Sequence, residues 1–270
     1  MPIHTFVILA YKESAYLEDC IKSVLDQSAE SEVLIATSTP NAFINETAKK
    51  YDLRVTVNEK GSLGIGYDFD FAIGCGKTPL VTIAHQDDVY DRTYAEEMIK
   101  AYGKYGNALI IFPDYYEIRD GVKTYGNKNL RIKKTLLFPL RFKCWSGRKF
   151  IKRSALRFGD AICCPAVTFN TLKVSVPVFE SDLKCDIDWL AWERLSREKG
   201  RFIYVHKPLM GHRIHSGSTT TDIINDNART AEDYIILRKF WPKPIARIIQ
   251  KLYSSSEHSN DLDKKNKKRP

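Results

Sequence analysis

Over the first 114 residues, runs of aliphatic and β-branched residues alternate with segments whose apolar positions recur every three or four residues, and the links between them are short. A chain patterned this way is pressed toward one arrangement, an α/β fold with a mostly parallel sheet covered by helices on both faces. Residues 4–11 (HTFVILAY) read as a buried first strand, and Leu17, Cys20, Ile21, Val24 and Leu25 form one helical stripe. Residues 32–37 (EVLIAT) read as the second strand, with Ser38-Thr39-Pro40 as the N-cap and first-turn proline of the next helix. Leu53 to Asn58 is the third strand, and a Gly-rich turn leads into a helix over 65–75. Residues 80–85 form a fourth strand, followed by a helix near 92–104 and a strand from Ala108 to Phe112.

Beyond Asp114 the regular alternation stops. Asp120-Gly121 predicts a hairpin. From Arg131 to Phe158 the chain is basic and aromatic, and Arg141, Lys143, Trp145, Arg148 and Lys149 read as a long loop, either a lid, an acceptor surface or a solvated stretch. A helix is predicted over Asp188 to Lys199 and a strand over Arg201 to His206. The chain is therefore divided into an α/β half over 1–114, a second α+β half of the same domain over 115–222, C-terminal helices over 223–253 and a disordered basic tail over 254–270.

Hydrophobic residues make up 43% of the 270, enough for a sizeable core, and no apolar run approaches the roughly 18 residues of a spanning helix. With no basic, then apolar leader at Met1-Pro2-Ile3-His4, a cytoplasmic location is expected. The six cysteines show no C-x-x-C pair and read as reduced packing residues. The formal charge of +9 is concentrated near the end, where residues 238–270 carry ten Lys and Arg against Glu257, Asp261 and Asp263. That distribution points away from nucleic acid. Ile245, Ile248, Ile249 and Leu252 at helical spacing, with Lys243, Arg247 and Lys251 between them, suit either a basic helix on the inner face of an anionic membrane or a terminal helix packed on its own domain.

The fourth strand ends in His85-Gln86-Asp87-Asp88. In open α/β sheets ligands bind outside the carboxyl ends of the strands, and two hard oxygen donors there suit Mg²⁺ or Mn²⁺ shared with phosphates. The same pair could be a plain turn, or the lead into a helix at Asp91-Arg92.

Four motifs in order carry a resemblance. Phe6-Val7-Ile8-Leu9-Ala10-Tyr11-Lys12-Glu13 with Leu17 to Gln27 (LEDCIKSVLDQ), then His85-Gln86-Asp87-Asp88, then Ile187 to Leu195 (IDWLAWERL), then His212-Arg213-Ile214-His215-Ser216, together resemble the inverting glycosyltransferases of family 2 over roughly residues 4–220. The resemblance implies a GT-A fold, with a Rossmann-like, mostly parallel central sheet flanked by helices, an acceptor-side α+β half and a C-terminal helical tail. It implies a hexosyltransferase using a nucleoside-diphosphate sugar, UDP first, and a saccharide or lipid-linked acceptor in cell-surface polysaccharide synthesis. Asp87 and Asp88 take the place of the metal motif, with His215 as a third ligand for Mn²⁺ or Mg²⁺, and His85 stands where the family has an acidic residue.

By the same resemblance Asp188 is the base that takes the acceptor's proton, with Asp186 its competitor and Ile187 replacing the usual acidic neighbour. Asp188 could equally be a helix N-cap. Tyr11 could stack on the nucleobase while backbone groups around Ala10 and Glu13 read its edge, and Thr37 stands near the position of an acidic base-reading residue. Lys60 in the Gly-rich stretch could approach phosphate and Asp68 the donor sugar. The rival reading is a non-catalytic saccharide- or nucleotide-sugar-binding protein on the same scaffold, motivated by His85 and Ile187.

Overall fold

The computed structural model describes residues 1–215 and 228–252. Its first unit follows the predicted alternation: strand β1 (His4–Ala10), helix α1 (Leu17–Leu25), β2 (Glu32–Thr37), α2 (Ala42–Lys50), β3 (Arg54–Val57), α3 (Ile65–Cys75) and β4 (Leu80–His85). These four strands are parallel in the order β3-β2-β1-β4. Because successive side chains of a strand point to opposite faces, the near-continuous apolar sequence of β1 feeds two cores. Val7, with Leu34 and Ile83 on its neighbours, packs under Phe69, Ala72 and Ile73 of α3. Phe6 and Ile8 pack with Cys20, Ile21 and Val24 of α1 and Ile44 and Ala48 of α2 on the other face.

The remaining strands extend the same sheet. After the two-residue β5 (Val89–Tyr90) and α4 (Tyr94–Lys104) come β6 (Ala108–Arg119), β7 (Val122–Thr124), α5 (Lys128–Leu136), α6 (Lys149–Ser154), β8 (Thr168–Asn170), α7 (Ile187–Leu195), β9 (Arg201–Ile214) and α8 (Ala228–Leu237), and residues 243–252 are helical. Beyond β4 the order runs β8-β6-β9-β5, with β7 on β6. The short β8 lies antiparallel between β4 and β6, so β6 and its parallel neighbour β9 point the same way as the first four strands. The carboxyl ends of β1, β2, β3, β4 and β9 thus share one edge of the sheet.

Several expectations change. The helix after β2 is capped by Asn41, whose side chain accepts from Ile44 N at 2.9 Å, three residues beyond the expected Ser38. Ser38 Oγ instead donates to Asp68 in the first turn of α3, and Thr39 Oγ1 accepts from Lys12 N in the loop after β1. The basic stretch carries α5, a 3-10 turn at Phe138–Arg141 and α6, with Lys143, Trp145 and Arg148 of the expected loop on the non-helical turns at 142–148 between the last two. The segment 161–169 is a 3-10 turn at Cys164–Ala166 followed by β8. Strands β6 and β9 run well past the expected ends at Phe112 and His206, and β6 crosses residue 114, so the two halves share one continuous sheet. The hairpin stands as expected, with Asp120 and Gly121 at φ of 50° and 78° joining β6 to β7. The six cysteines are free thiols. The tail over 254–270 lies outside the described residues.

Gly211 of β9 lies against the ring of the fully buried Tyr116 on β6, and a Cβ there would stand 2.6 Å from Tyr116 Cε2 and 2.8 Å from Ile118 Cδ1. Gly211→Ala should therefore push Tyr116 off its packed position at a cost of about 1–3 kcal/mol, read as a lower urea midpoint at unchanged m-value.

Candidate functional site

The site begins with a pairing that local propensity does not reveal. Strand β5 runs antiparallel to β9, with Val89 opposite Gly211 and Tyr90 opposite Met210. Continuing that register backward sets Asp88 across from His212 and Asp87 across from Arg213. Asp88 is fully buried and accepts hydrogen bonds from Arg213 N at 2.8 Å and His212 Nδ1 at 3.1 Å. Arg213 Nε donates to the Asp87 carbonyl at 2.9 Å, Nη2 reaches Asp19 at 3.2 Å, and the guanidinium lies 4.3 Å from the Tyr16 ring centre. Asp87 Oδ2 and His215 Nε2 stand 2.9 Å apart, both partly open to solvent. The three residues expected to hold a metal are thus brought together, in two different settings. Asp88 is a buried anchor, whereas Asp87 and His215 present a carboxylate and an imidazole partly open to solvent.

This donor set suits a divalent cation that takes one or two protein ligands and completes its shell with substrate phosphate oxygens. A closed cage of three or more His, Cys, Asp or Glu side chains is not formed among the described residues. Fitting the same pattern, Asp88 and the His212 it engages are the kind of outer partners that orient a metal's direct ligands.

His85 ends β4 with its ring 5.0 Å from that of Phe69 and its Nε2 buried without a hydrogen-bond partner. Burial lowers its pKa, against the pull of Asp88 and Asp87, and Asp188 lies within electrostatic reach of it. For His212 burial also works downward, but Asp88 outweighs it and the net shift is upward. One imidazole of the cluster is held toward neutrality and the other toward charge.

Asp188 lies in the first turn of α7, and its Oδ1 accepts from Trp189 N at 2.9 Å. The fully buried Trp189 and Trp192 fix α7 against the core face below α3. A residue with no signal in the sequence joins it: Asp160, whose carboxyl hydrogen-bonds Asp188 and whose Oδ1 accepts from Ile162 N at 3.2 Å. Burial, and then the charge of Asp188, drive the Asp160 pKa well up, with Lys133 of α5 pulling the other way. Asp186 turns elsewhere, toward Asp233 and Arg229 of α8.

The segment leading to Asp188 has little regular structure and is held by two carboxylates. Asp70 of α3 accepts from the backbone N–H of Val178, Phe179 and Glu180 at 2.6–3.1 Å. Glu232 of α8 accepts from those of Lys184, Cys185 and Asp186 at 2.7–3.0 Å.

The other expected residues line the same sheet edge. Tyr11 is 41% exposed, its N–H and carbonyl are both bonded by the Gln86 side-chain amide at 3.0 and 2.9 Å, and Lys12 Nζ stands 5.2 Å from its ring centre. Ala10 is buried and Glu13 exposed on either side of it. Thr37 is fully buried, its hydroxyl accepting from Thr39 N at 3.1 Å, and so shapes the turn after β2. Asp68 is buried and accepts from Ser38 Oγ at 3.0 Å and Ser62 Oγ at 3.2 Å, joining the β2 end to the Gly-rich stretch, while Lys60 on that stretch is exposed. Gln86 and Arg213 lie inside the quoted motifs, yet their roles appear only in three dimensions.

Residues 5–165 match the model of a protein family described as glycosyl transferase family 2. No curated protein matches the sequence. Among solved structures, S. aureus TarS 1-349 in complex with UDP-GlcNAc aligns with a TM-score of 0.62 at 13% identity, over 92% of this chain and 70% of that one. The same protein without ligand named gives 0.61 at 11% identity over 92% and 69%, and its complex with UDP gives 0.59 at 13% over 92% and 69%.

Asp186 supplies a pH test. Burial, followed by the charge of Asp233, raises its pKa from 3.8 to about 9. A raised folded-state pKa means that folding takes up a proton, so the contribution to stability is full below the ordinary value and is lost as pH rises toward 9. Asp186→Asn, which cannot ionise, should be about 1–3 kcal/mol more stable than the parent at pH 8 and lose that advantage near pH 4, as measured by urea unfolding at both values.

Proposed function

This chain belongs to glycosyltransferase family 2, and from that premise we propose that it transfers a hexose, with inversion, from a nucleoside-diphosphate sugar to a saccharide or lipid-linked acceptor in the synthesis of a cell-surface polysaccharide. UDP is the proposed carrier, since the similar TarS structures include complexes with UDP and UDP-GlcNAc. The observation that carries the reading is the meeting of two acidic centres at one sheet edge: Asp87 with His215 on one side, Asp188 with Asp160 on the other, and His85 within electrostatic reach of both.

Asp87 and His215 would hold Mn²⁺ or Mg²⁺, with Asp88 as a further donor or as the anchor that fixes them. A cation held there would supply positive charge to stabilise the departing diphosphate. Asp188 accepts the proton of the acceptor hydroxyl, which lets that oxygen attack the anomeric carbon from the face opposite the leaving group. Asp160 lies hydrogen-bonded beside it, its own pKa driven up by burial and by the charge of Asp188. Tyr11, framed by Ala10 and Glu13, offers its ring to the nucleobase, with Thr37 shaping the adjoining turn. Asp68 and Lys60 take the sugar and phosphate sides. The basic tail would rest on an anionic inner membrane surface where the acceptor is found. No nucleic-acid partner is proposed.

Asp188→Asn should lower sugar transfer by about 10²–10⁴-fold while UDP affinity in the presence of Mn²⁺, followed by calorimetry, changes little. Transfer that survives the substitution would remove Asp188 from the base role. EDTA should abolish tight UDP binding, and indifference to it would sink the metal assignment. A parent protein that binds UDP-sugar but transfers nothing to any saccharide or lipid-linked acceptor would favour the binding-protein alternative.

A further inference from the structure

Two basic, aromatic segments separated by some 80 residues in sequence meet on one side of the molecule. Arg153 Nη2 of α6 donates to the Lys239 carbonyl at 2.8 Å, and its guanidinium lies 4.5 Å from the Phe240 ring centre. Trp241 Nε1 donates to the Arg157 carbonyl at 2.7 Å, and the Trp241 ring packs on Phe158 with centroids 5.3 Å apart. The C-terminal helix is thereby fixed in orientation. Ala246 is fully buried and Ile249 packs on the core, so these residues form its inner face.

Its other apolar face has been left outward. At about 100° per residue, Ile245, Ile248 and Leu252 fall on one stripe, 41%, 60% and 66% exposed. On α6, Ile151 and Lys152 turn inward, whereas Phe150 is 70% exposed and shares a face with Arg153, three residues on. An apolar row of this kind would be costly in water on a free helix. Set among arginines and lysines, it has the composition of a surface that seats in the headgroup region of a bilayer, with aromatic and aliphatic side chains inserted and cations held at anionic lipids. The positive charge excludes a basic protein partner. None of the helices among the described residues is long and apolar enough to cross a membrane, so the contact is a seat on one leaflet.

We propose that α6 and the C-terminal helix together form a single docking surface for an anionic phospholipid bilayer, with Phe150 and Ile248 as inserting side chains from the two segments. The terminal basic residues alone would make an electrostatic tether with no fixed orientation. A rigid two-segment seat instead fixes how the domain stands on the membrane. This extends the tail contact described above, which invoked no residue before 238, and does not rest on the catalytic assignment.

The test is co-sedimentation of the full chain with phosphatidylcholine vesicles and with vesicles containing about one third phosphatidylglycerol, without any nucleotide sugar. Binding to the anionic vesicles alone is expected, weakened about fivefold by removal of each nearby cation, as in Lys243→Ala. Phe150→Asp and Ile248→Asp should each weaken it by about tenfold or more with thermal midpoints unchanged, since both side chains stand largely in solvent. Equal binding to neutral and anionic vesicles, or none to either, would overturn the proposal. So would normal binding by Phe150→Asp, which would assign the contact to the tail alone. Asp188→Asn should bind vesicles like the parent, so failure of the lipid surface and failure of the transferase reading are read separately.

Discussion

The buried carboxylate of Asp88 is the interaction on which the rest of the site depends. A carboxylate withdrawn from water is costly unless its oxygens are bonded, and those of Asp88 are satisfied by groups 124 and 125 residues later in the chain. The end of β4 is thereby locked to the end of β9 through two residues of β5. Asp87 and His215 flank that lock, so their 2.9 Å approach follows from it. Arg213 closes the arrangement from below, spending its backbone N–H on Asp88 and its side chain on Asp87, Asp19 and Tyr16.

What could be read in the sequence was whatever local pattern determines. Strands β1 and β4 are buried on both faces, so they appear as near-continuous apolar runs, and α1 shows its stripe because one side faces water. The carboxylate pair, Asp188 and His215 were legible because they sit inside short motifs. Helices α5 and α6 were missed for a physical reason: their aromatic and basic residues face outward, with only Leu130 of α5 and Lys152 of α6 buried, so no apolar stripe announces them. The length of β9 was hidden by its polar His206-Lys207-Pro208, where the ladder to β6 shifts register. Asp160 could not be found at all, since its meaning lies in a contact with a residue 28 positions away.

The approach to Asp188 illustrates how a loop can be made rigid without secondary structure. Backbone N–H groups left unpaired in such a segment would otherwise seek water. Asp70 collects three of them at 178–180 and Glu232 three more at 184–186, one carboxylate from α3 and one from α8. The acidic residue at the start of α7 is therefore positioned from both sides, and α8 is part of that support.

The insertion of β8 between β4 and β6 has a consequence for how the molecule is made. A ribosome delivers β1 to β4 first, and these strands can pair at once through local crossovers. The outer edge of β4 then has no partner until Thr168–Asn170 emerges, more than eighty residues later. For that interval the growing sheet carries an open, apolar edge, the feature most prone to pairing with a stranger. Closing it requires a contact of long sequence separation, which is slow to form. Biogenesis of this domain thus hinges on the shortest of its central strands.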